Sequence, residues 1–211
     1  LKRAWIEVLG DAVVELYSSS EGAAKFLIRG HEWLAHPGSV GRPRPGDEVR
    51  ILDDEGDEVP VGTIGNVYLR SSGDRDFGYI GADQPTRIDG FVTVGDMGHV
   101  DADGYLYLAD RRTDLILRGG ANIFPAEVEA ALEAHPAVRS VAVVGVPDDD
   151  LGQRVHAVID APDGVDDREL RSFVAHRLVT YKCPETYEFV DGPVRDEAGK
   201  VRRSSLRPGH S

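Results

Sequence analysis

The spacing of apolar residues changes character near Asp110, and that change limits the folds open to the chain. From about residue 38 to 108, short alternating runs are separated by Gly and Asp turns. Val49 to Leu52 leads into Asp53-Asp54-Glu55-Gly56, and Asn66 to Arg70 follows a turn at Gly65. Phe91 to Val94 leads into Gly95-Asp96. His99-Val100 and Tyr105 to Leu108 flank Asp101-Ala102-Asp103-Gly104, a hairpin signal. Such a series predicts a small barrel or folded sheet. Ahead of it lie a helical pattern (Ala4, Trp5, Val8, Leu9), a strand-like run from Val13 to Tyr17, and a second strand from Lys25 to Arg29.

After Asp110 strands alternate with helices. Leu115 to Leu117 reads as a strand and Gly119-Gly120 as a turn. Pro125 can open a helix, because the N–H it lacks has no partner there anyway. Val128, Ala131 and Leu132 give that helix an apolar face, and Pro136 stops it. Val141 to Val146 and Arg154 to Ile159 read as a hairpin around Asp148-Asp149-Asp150. Asp166 and Glu169 form a capping-box pattern before a helix whose Leu170, Phe173, Val174 and Leu178 share one face. Glu188 to Val190 is the last predicted strand. The expected fold class is α+β, with a β-rich region over 1–110 and a small α+β domain over 111–211.

Apolar residues make up 41% of the 211, enough for a real core. No apolar run approaches the ~20 residues of a membrane span, and the first residues lack the apolar core of a secretory signal. A single cysteine, Cys183, rules out an internal disulfide and a cysteine-bound zinc, which fits a reducing cytoplasm. The net charge of −13 opposes binding to nucleic acid or anionic lipid. It also repels anionic ligands, so a site for one must gather its own cations. Arg111, Arg112, Arg118, Lys200, Arg202 and Arg203 are candidates, with Arg202 and Arg203 better read as a solvated face. His156 is expected to face solvent, and the histidines show no metal-ligand spacing. The acidic loops lack the calcium-loop spacing, and no serine-hydrolase elbow occurs.

Four segments carry chemistry. Tyr17-Ser18-Ser19-Ser20-Glu21 offers an aromatic face, hydroxyl donors and a hard oxygen ligand at a strand end. Gly95-Asp96 places a carboxylate that can accept two hydrogen bonds from a diol. The stretch from Asp110 to Glu129 combines Asp110-Arg111-Arg112, Gly119-Gly120 and Asn122-Ile123-Phe124-Pro125. Gly199-Lys200 puts a flexible ammonium on a Gly-containing loop, suited to neutralising charge on a phosphate. Taken singly, the first, second and fourth also read as a serine turn, a Gly-Asp turn and a solvated Gly-Lys turn; a hairpin with a Pro-started helix accounts for Gly119, Gly120 and Pro125 of the third, the most specific block, but not for its whole string.

In this order and spacing the four resemble the signature blocks of the acyl-activating, adenylate-forming superfamily of acyl-CoA synthetases, adenylation domains and firefly-type luciferases. The resemblance covers essentially the whole chain. It implies that Tyr17 stacks on adenine, Ser20 bonds the α-phosphate and Glu21 ligates Mg²⁺. It implies that Asp96 accepts both ribose hydroxyls and that Arg111 reaches ribose and phosphate. Asp110 would be the hinge of a rotating C-terminal domain, Arg118, Gly119 and Gly120 would line the CoA path, and Lys200 would be the adenylation lysine. Ser18 stands where the family usually has Gly, Val94 where it has Thr or Ser, and the stretch from Pro193 to Lys200 is one residue longer than usual.

Family members carry a Ser/Thr/Gly-rich phosphate loop ending in Pro-Lys far upstream of the tyrosine. It does not occur in the sixteen residues before Tyr17. The chain is therefore expected to hold a β-rich, distorted-barrel remnant of the large N-terminal domain followed by the C-terminal lid domain. The function implied is that of an ATP-dependent carboxylic acid–CoA ligase of fatty acid or related metabolism, using ATP, Mg²⁺ and coenzyme A and passing through acyl-AMP. These residues alone are expected to lack turnover. Two alternatives stay open: a catalytically inactive nucleotide- or CoA-binding module, and an adenylation domain that loads a carrier protein. A homo-oligomer is compatible with the sequence.

Overall fold

The computed structural model describes residues 2–18, 24–73, 84–196, 200–201, 203 and 206. The chain divides into two compact units, Leu1–Arg112 and Thr113–Ser211. Among the described residues no helix is long and apolar enough to cross a membrane.

The first unit opens with helix α1 (Lys2–Leu9), strands β1 (Val14–Ser18) and β2 (Lys25–Arg29), helix α2 (Gly30–Ala35) and strand β3 (Arg42–Pro43). The short α2 carries no signal strong enough to stand out in the sequence. The Arg29 N–H donates to Glu32 Oε2 at 2.8 Å, which satisfies one of the amides at its start. Strands β1, β2 and β3 form an antiparallel sheet in that order.

Strands β4 (Glu48–Leu52), β5 (Gly65–Arg70), β6 (Arg87–Ile88), β7 (Phe91–Val100) and β8 (Leu106–Arg111) build a second antiparallel sheet that curls as a half-barrel. The order is β4-β5-β7-β6, and β8 also pairs with β7. Strand β7 was expected to end before Gly95-Asp96 but runs through them. Gly95 takes φ +85°, so the strand absorbs the turn-like residue without breaking. Register shifts mark irregularities in both of its long pairings, the one with β8 between Met97 and Gly98. Phe26 from the first sheet and Val67, Leu69, Val92 and Leu106 from the second share one core. Gly41 joins them: a Cβ there would lie 2.2 Å from the Leu27 carbonyl oxygen, and its φ is +101°.

The second unit holds strands β9 (Ile116–Arg118) and β10 (Ala121–Ile123), helix α3 (Pro125–Glu133), strands β11 (Ser140–Asp148) and β12 (Gly152–Asp160), helix α4 (Asp167–Ala175) and strand β13 (Thr186–Phe189). The sheet order is β10-β9-β12-β11, with β13 parallel to β12. The Val- and Ala-rich run of β11 is buried from Ser140 to Val146, as a continuous apolar pattern predicts. Leu132 of α3 and Leu170 and Val174 of α4 pack with Val141, Val143, Val155 and Ile159.

Three sequence expectations fail in this unit. His156 is buried, 7% exposed, in β12, and its Nδ1 lies 2.8 Å from Thr186 Oγ1 of β13. Burial follows because β12 is covered by paired strands on both edges, which a local pattern cannot reveal. The capping box is half made: Asp166 accepts from the Arg168 N–H at 2.7 Å, but Glu169 lies 3.3 Å from His135 Nε2 instead. Arg203 is no solvated residue either, since its side chain is only 14% exposed and lies 2.8 Å from carboxylates of Asp114 and Glu129. Arg202 lies outside the described residues.

Asp101 holds the β7–β8 hairpin. Its Oδ1 accepts the Asp103 and Tyr105 N–H groups at 3.0 and 2.9 Å, and its Oδ2 accepts the Tyr107 hydroxyl at 3.1 Å. His36 Nδ1 lies 3.0 Å from that same Oδ2. Burial alone would raise its pKa, but the Tyr105 amide, Tyr107, His36 and the Asp103 amide together hold it below the ordinary range. A lowered folded pKa adds stability above the unfolded carboxylate value of about 3.9, lost as pH falls through the folded value. Asp101→Ala should therefore destabilise the first unit by about 2 kcal/mol at neutral pH. The gap from wild type should narrow progressively as pH falls below about 4 in urea unfolding followed across pH.

Candidate functional site

The first unit brings three of the sequence-predicted residues together. Tyr17 is near the end of β1, opposite Phe26 of β2, and its ring centroid lies 5.5 Å from that of Phe26. The Tyr17 hydroxyl donates to Asp96 Oδ2 at 2.5 Å across 79 positions of sequence. Asp96 faces Arg111 in the β7–β8 register, and Arg111 Nε lies 3.5 Å from Asp96 Oδ1. The Asp96 side chain is 14% exposed and that of Arg111 is 70% exposed. A nearly buried carboxylate thus lies between an aromatic hydroxyl and a solvent-facing guanidinium. Asp110 occupies the next position of β8, where its Oδ1 accepts the Arg111 N–H at 2.9 Å.

Ser20 and Glu21 lie outside the described residues. Among the described residues, His36, Asp101 and Asp103 bring possible metal-ligand atoms within 4.8 Å of one another. Both Asp101 oxygens are already engaged by the hairpin, so this group has a structural explanation.

In the second unit Gly119 and Gly120 link β9 to β10, with φ of +55° and +82°. That pair of left-handed residues is what a two-residue hairpin of this hand requires. A Cβ on Gly120 would meet nothing within 4 Å, so the backbone there is open to approach. Arg118 is committed inside the unit: Nη1 donates to the Tyr181 carbonyl at 3.0 Å, and Nη2 lies 2.7 Å from Glu185 Oε1. Lys200 is exposed. Its N–H donates to Asp196 Oδ1 at 2.8 Å, and its carbonyl accepts the Asp196 N–H at 3.0 Å, closing a small loop. Gly199 lies outside the described residues.

Sequence reasoning missed Glu129. This residue of α3 is buried at 3% exposure and gathers three donors. A charged residue among the apolar positions Val128 and Leu132 was the available signal.

Residues 1–73 match the family model for the AMP-binding enzyme, and residues 127–200 match that for the AMP-binding enzyme C-terminal domain. The chain is 40% identical over 174 residues to the fatty acid–[acyl-carrier-protein] ligase ScoC of Streptomyces coeruleorubidus, covering 80% of the chain and 33% of that protein. It is 36% identical over 198 residues to the 2-succinylbenzoate–CoA ligase of Bacillus licheniformis, covering 92% of the chain and 41% of the relative. Among solved structures, ATP-bound MatB from Rhodopseudomonas palustris superposes with a TM-score of 0.85 at 32% identity, covering 98% of the chain and 42% of MatB. The chain belongs to the adenylate-forming, AMP-binding family of enzymes. It spans well under half the length of these relatives.

The Tyr17–Asp96 bond can be tested without reference to activity. Tyr17→Phe keeps the ring against Phe26 and removes only the hydroxyl donor. A hydrogen bond to a charged acceptor contributes about 1.5–3 kcal/mol, so the first unit should unfold at a lower urea concentration. An unchanged midpoint would show that the bond adds no net stability.

Proposed function

We propose that the chain forms the adenosine-facing and lysine-bearing part of an ATP-dependent carboxylic acid–CoA ligase. Family membership supports the class of reaction. The observation that carries the reading is the convergence of Tyr17, Asp96 and Arg111 in one place.

In this reading Tyr17 offers its ring to adenine while its hydroxyl orients Asp96. The Asp96 carboxylate accepts the ribose hydroxyls, which charge-assisted bonds favour. Arg111, tethered to Asp96 yet exposed, reaches toward the α-phosphate. Ser20 adds a hydroxyl to that phosphate and Glu21 supplies an oxygen ligand for Mg²⁺, both by resemblance. When bound, that ion would offset phosphate charge.

The substrate carboxylate oxygen attacks the α-phosphorus and pyrophosphate leaves, giving acyl-AMP. Lys200, itself exposed, neutralises charge gathering on carboxylate and phosphate. The CoA thiolate then attacks the acyl carbon and AMP leaves. Asp110 serves as the hinge between the two half-reactions, and the boundary between the compact units falls just after it. Gly119 and Gly120 offer bare backbone to the pantetheine arm. Arg118, tied to Tyr181 and Glu185, contributes by fixing the flank of that turn. A second reading, transfer to a carrier protein in place of CoA, is favoured by the likeness to a ligase named for that acceptor.

In the enzyme carrying this chain, Lys200→Ala should lower acyl-AMP formation by roughly 100-fold, the size expected for loss of one charge-stabilising group. Thioester formation from supplied acyl-AMP should change far less. Equal loss of both half-reactions would overturn the role given to Lys200. Running the second half-reaction with CoA and with a carrier protein separates the two readings.

A further inference from the structure

The Glu129 carboxylate is an unusual burial. Its side chain is only 4% exposed, on helix α3, beside the aliphatic cluster formed by residues such as Val128, Leu132 and Val143. A buried charge is tolerated only when hydrogen bonds and opposite charge fill its oxygens. Oε1 accepts the Val143 N–H at 2.9 Å and Arg203 Nη2 at 2.8 Å. Oε2 accepts Arg195 Nη2 at 2.6 Å. The Val143 bond ties the carboxylate to β11, the strand at the edge of the sheet, which is paired along its whole length with β12.

The two arginines lie on either side of Lys200. Arg195 comes immediately before Asp196, whose backbone and side chain close the small loop onto Lys200. Arg203 follows, and it is held three ways: by Glu129, by Asp114 Oδ2 at 2.8 Å, and by the Val143 carbonyl at 3.3 Å. Arg195 also lies 3.3 Å from Glu133 Oε1, one helical turn beyond Glu129. Both flanks of the lysine loop are therefore pinned to one rigid point, 66 and 74 positions away in sequence.

We infer that Glu129 is a positioning residue for Lys200: it clamps the entry and exit of the lysine loop through Arg195 and Arg203. The clamp leaves the lysine side chain exposed while fixing the backbone that carries it. It rests on the role proposed above for Lys200. A loop held at both ends limits how far an ammonium strays from its working position, and small misplacements of reacting groups cost rate steeply.

Two measurements test the clamp separately from the lysine. Glu129→Gln keeps the shape of the side chain and removes its charge. In the 211-residue chain it should raise amide hydrogen exchange in a peptide spanning 195–203 while leaving β12 protected. In the enzyme carrying this chain it should lower acyl-AMP formation by about tenfold or more, and thioester formation from supplied acyl-AMP by less than about twofold. Arg195→Ala, at the more exposed end of the clamp, should reproduce the effect should Glu129→Gln fail to fold. Arg203→Lys should give an intermediate loss, since lysine cannot reproduce the forked contacts. Unchanged exchange at 195–203 would overturn the clamp. Equal loss in both half-reactions would reduce Glu129 to a general stabiliser and overturn its positioning role. Intact acyl-AMP formation in Lys200→Ala would overturn the reading on which the inference rests, whatever the exchange data show.

Discussion

Strand β7 pairs with β5, β6 and β8, and most of the first unit is arranged around it. Backbone hydrogen bonds along its length fix where each side chain points, because a shift of one residue would turn every one to the opposite face. Beside Met97 and Gly98 the pairing shifts, because β8 carries one extra residue between Asp110 and Leu108. Upstream of that shift Asp96 faces Arg111; downstream Val100 pairs with Leu106 to carry the hairpin that Asp101 closes. Gly98 permits this: a Cβ there would lie 2.3 Å from the Tyr107 carbonyl oxygen. A local defect in one ladder thus sets the geometry around Asp96.

Much of the architecture was legible because its signals are local. The Asp101–Gly104 turn, the Pro125 start of α3 and the apolar face of α4 each depend on residues a few positions apart. What escaped the sequence depends on distant partners. Gly95 reads as a turn residue, yet pairing on either side carries the strand through it. His156 reads as an exposed strand residue, yet β11 and β13 flank its strand. Glu169 fits a capping box, yet His135 from another segment claims its carboxylate. Glu129 stands among apolar positions of its helix, but only the fold shows its two arginines.

The candidate site was legible in a different sense. Tyr17, Asp96, Asp110 and Arg111 were picked out by motif, and motif alone does not place them near one another. The hydrogen bond from Tyr17 to Asp96 and the ladder position of Arg111 supply that link. The chain answers its own net charge of −13 locally, by committing arginines to specific carboxylates. Arg118, Arg195 and Arg203 are each spoken for within their own unit, and Arg112 is half exposed with its Nη1 2.5 Å from Asp54 Oδ1; among the described residues, Arg111 and Lys200 also present cations to solvent at predicted positions.

The turn at Gly119 and Gly120 separates two meanings of tolerance. A map of free space would mark Gly120 as one of the roomiest positions, since an added methyl group would touch nothing. A map of backbone dihedrals would mark it as one of the most restricted, since its φ of +82° belongs to the left-handed region. Variation at that surface is therefore governed by torsion and not by crowding. The bareness of the turn is a by-product of its handedness, available to any ligand that needs it.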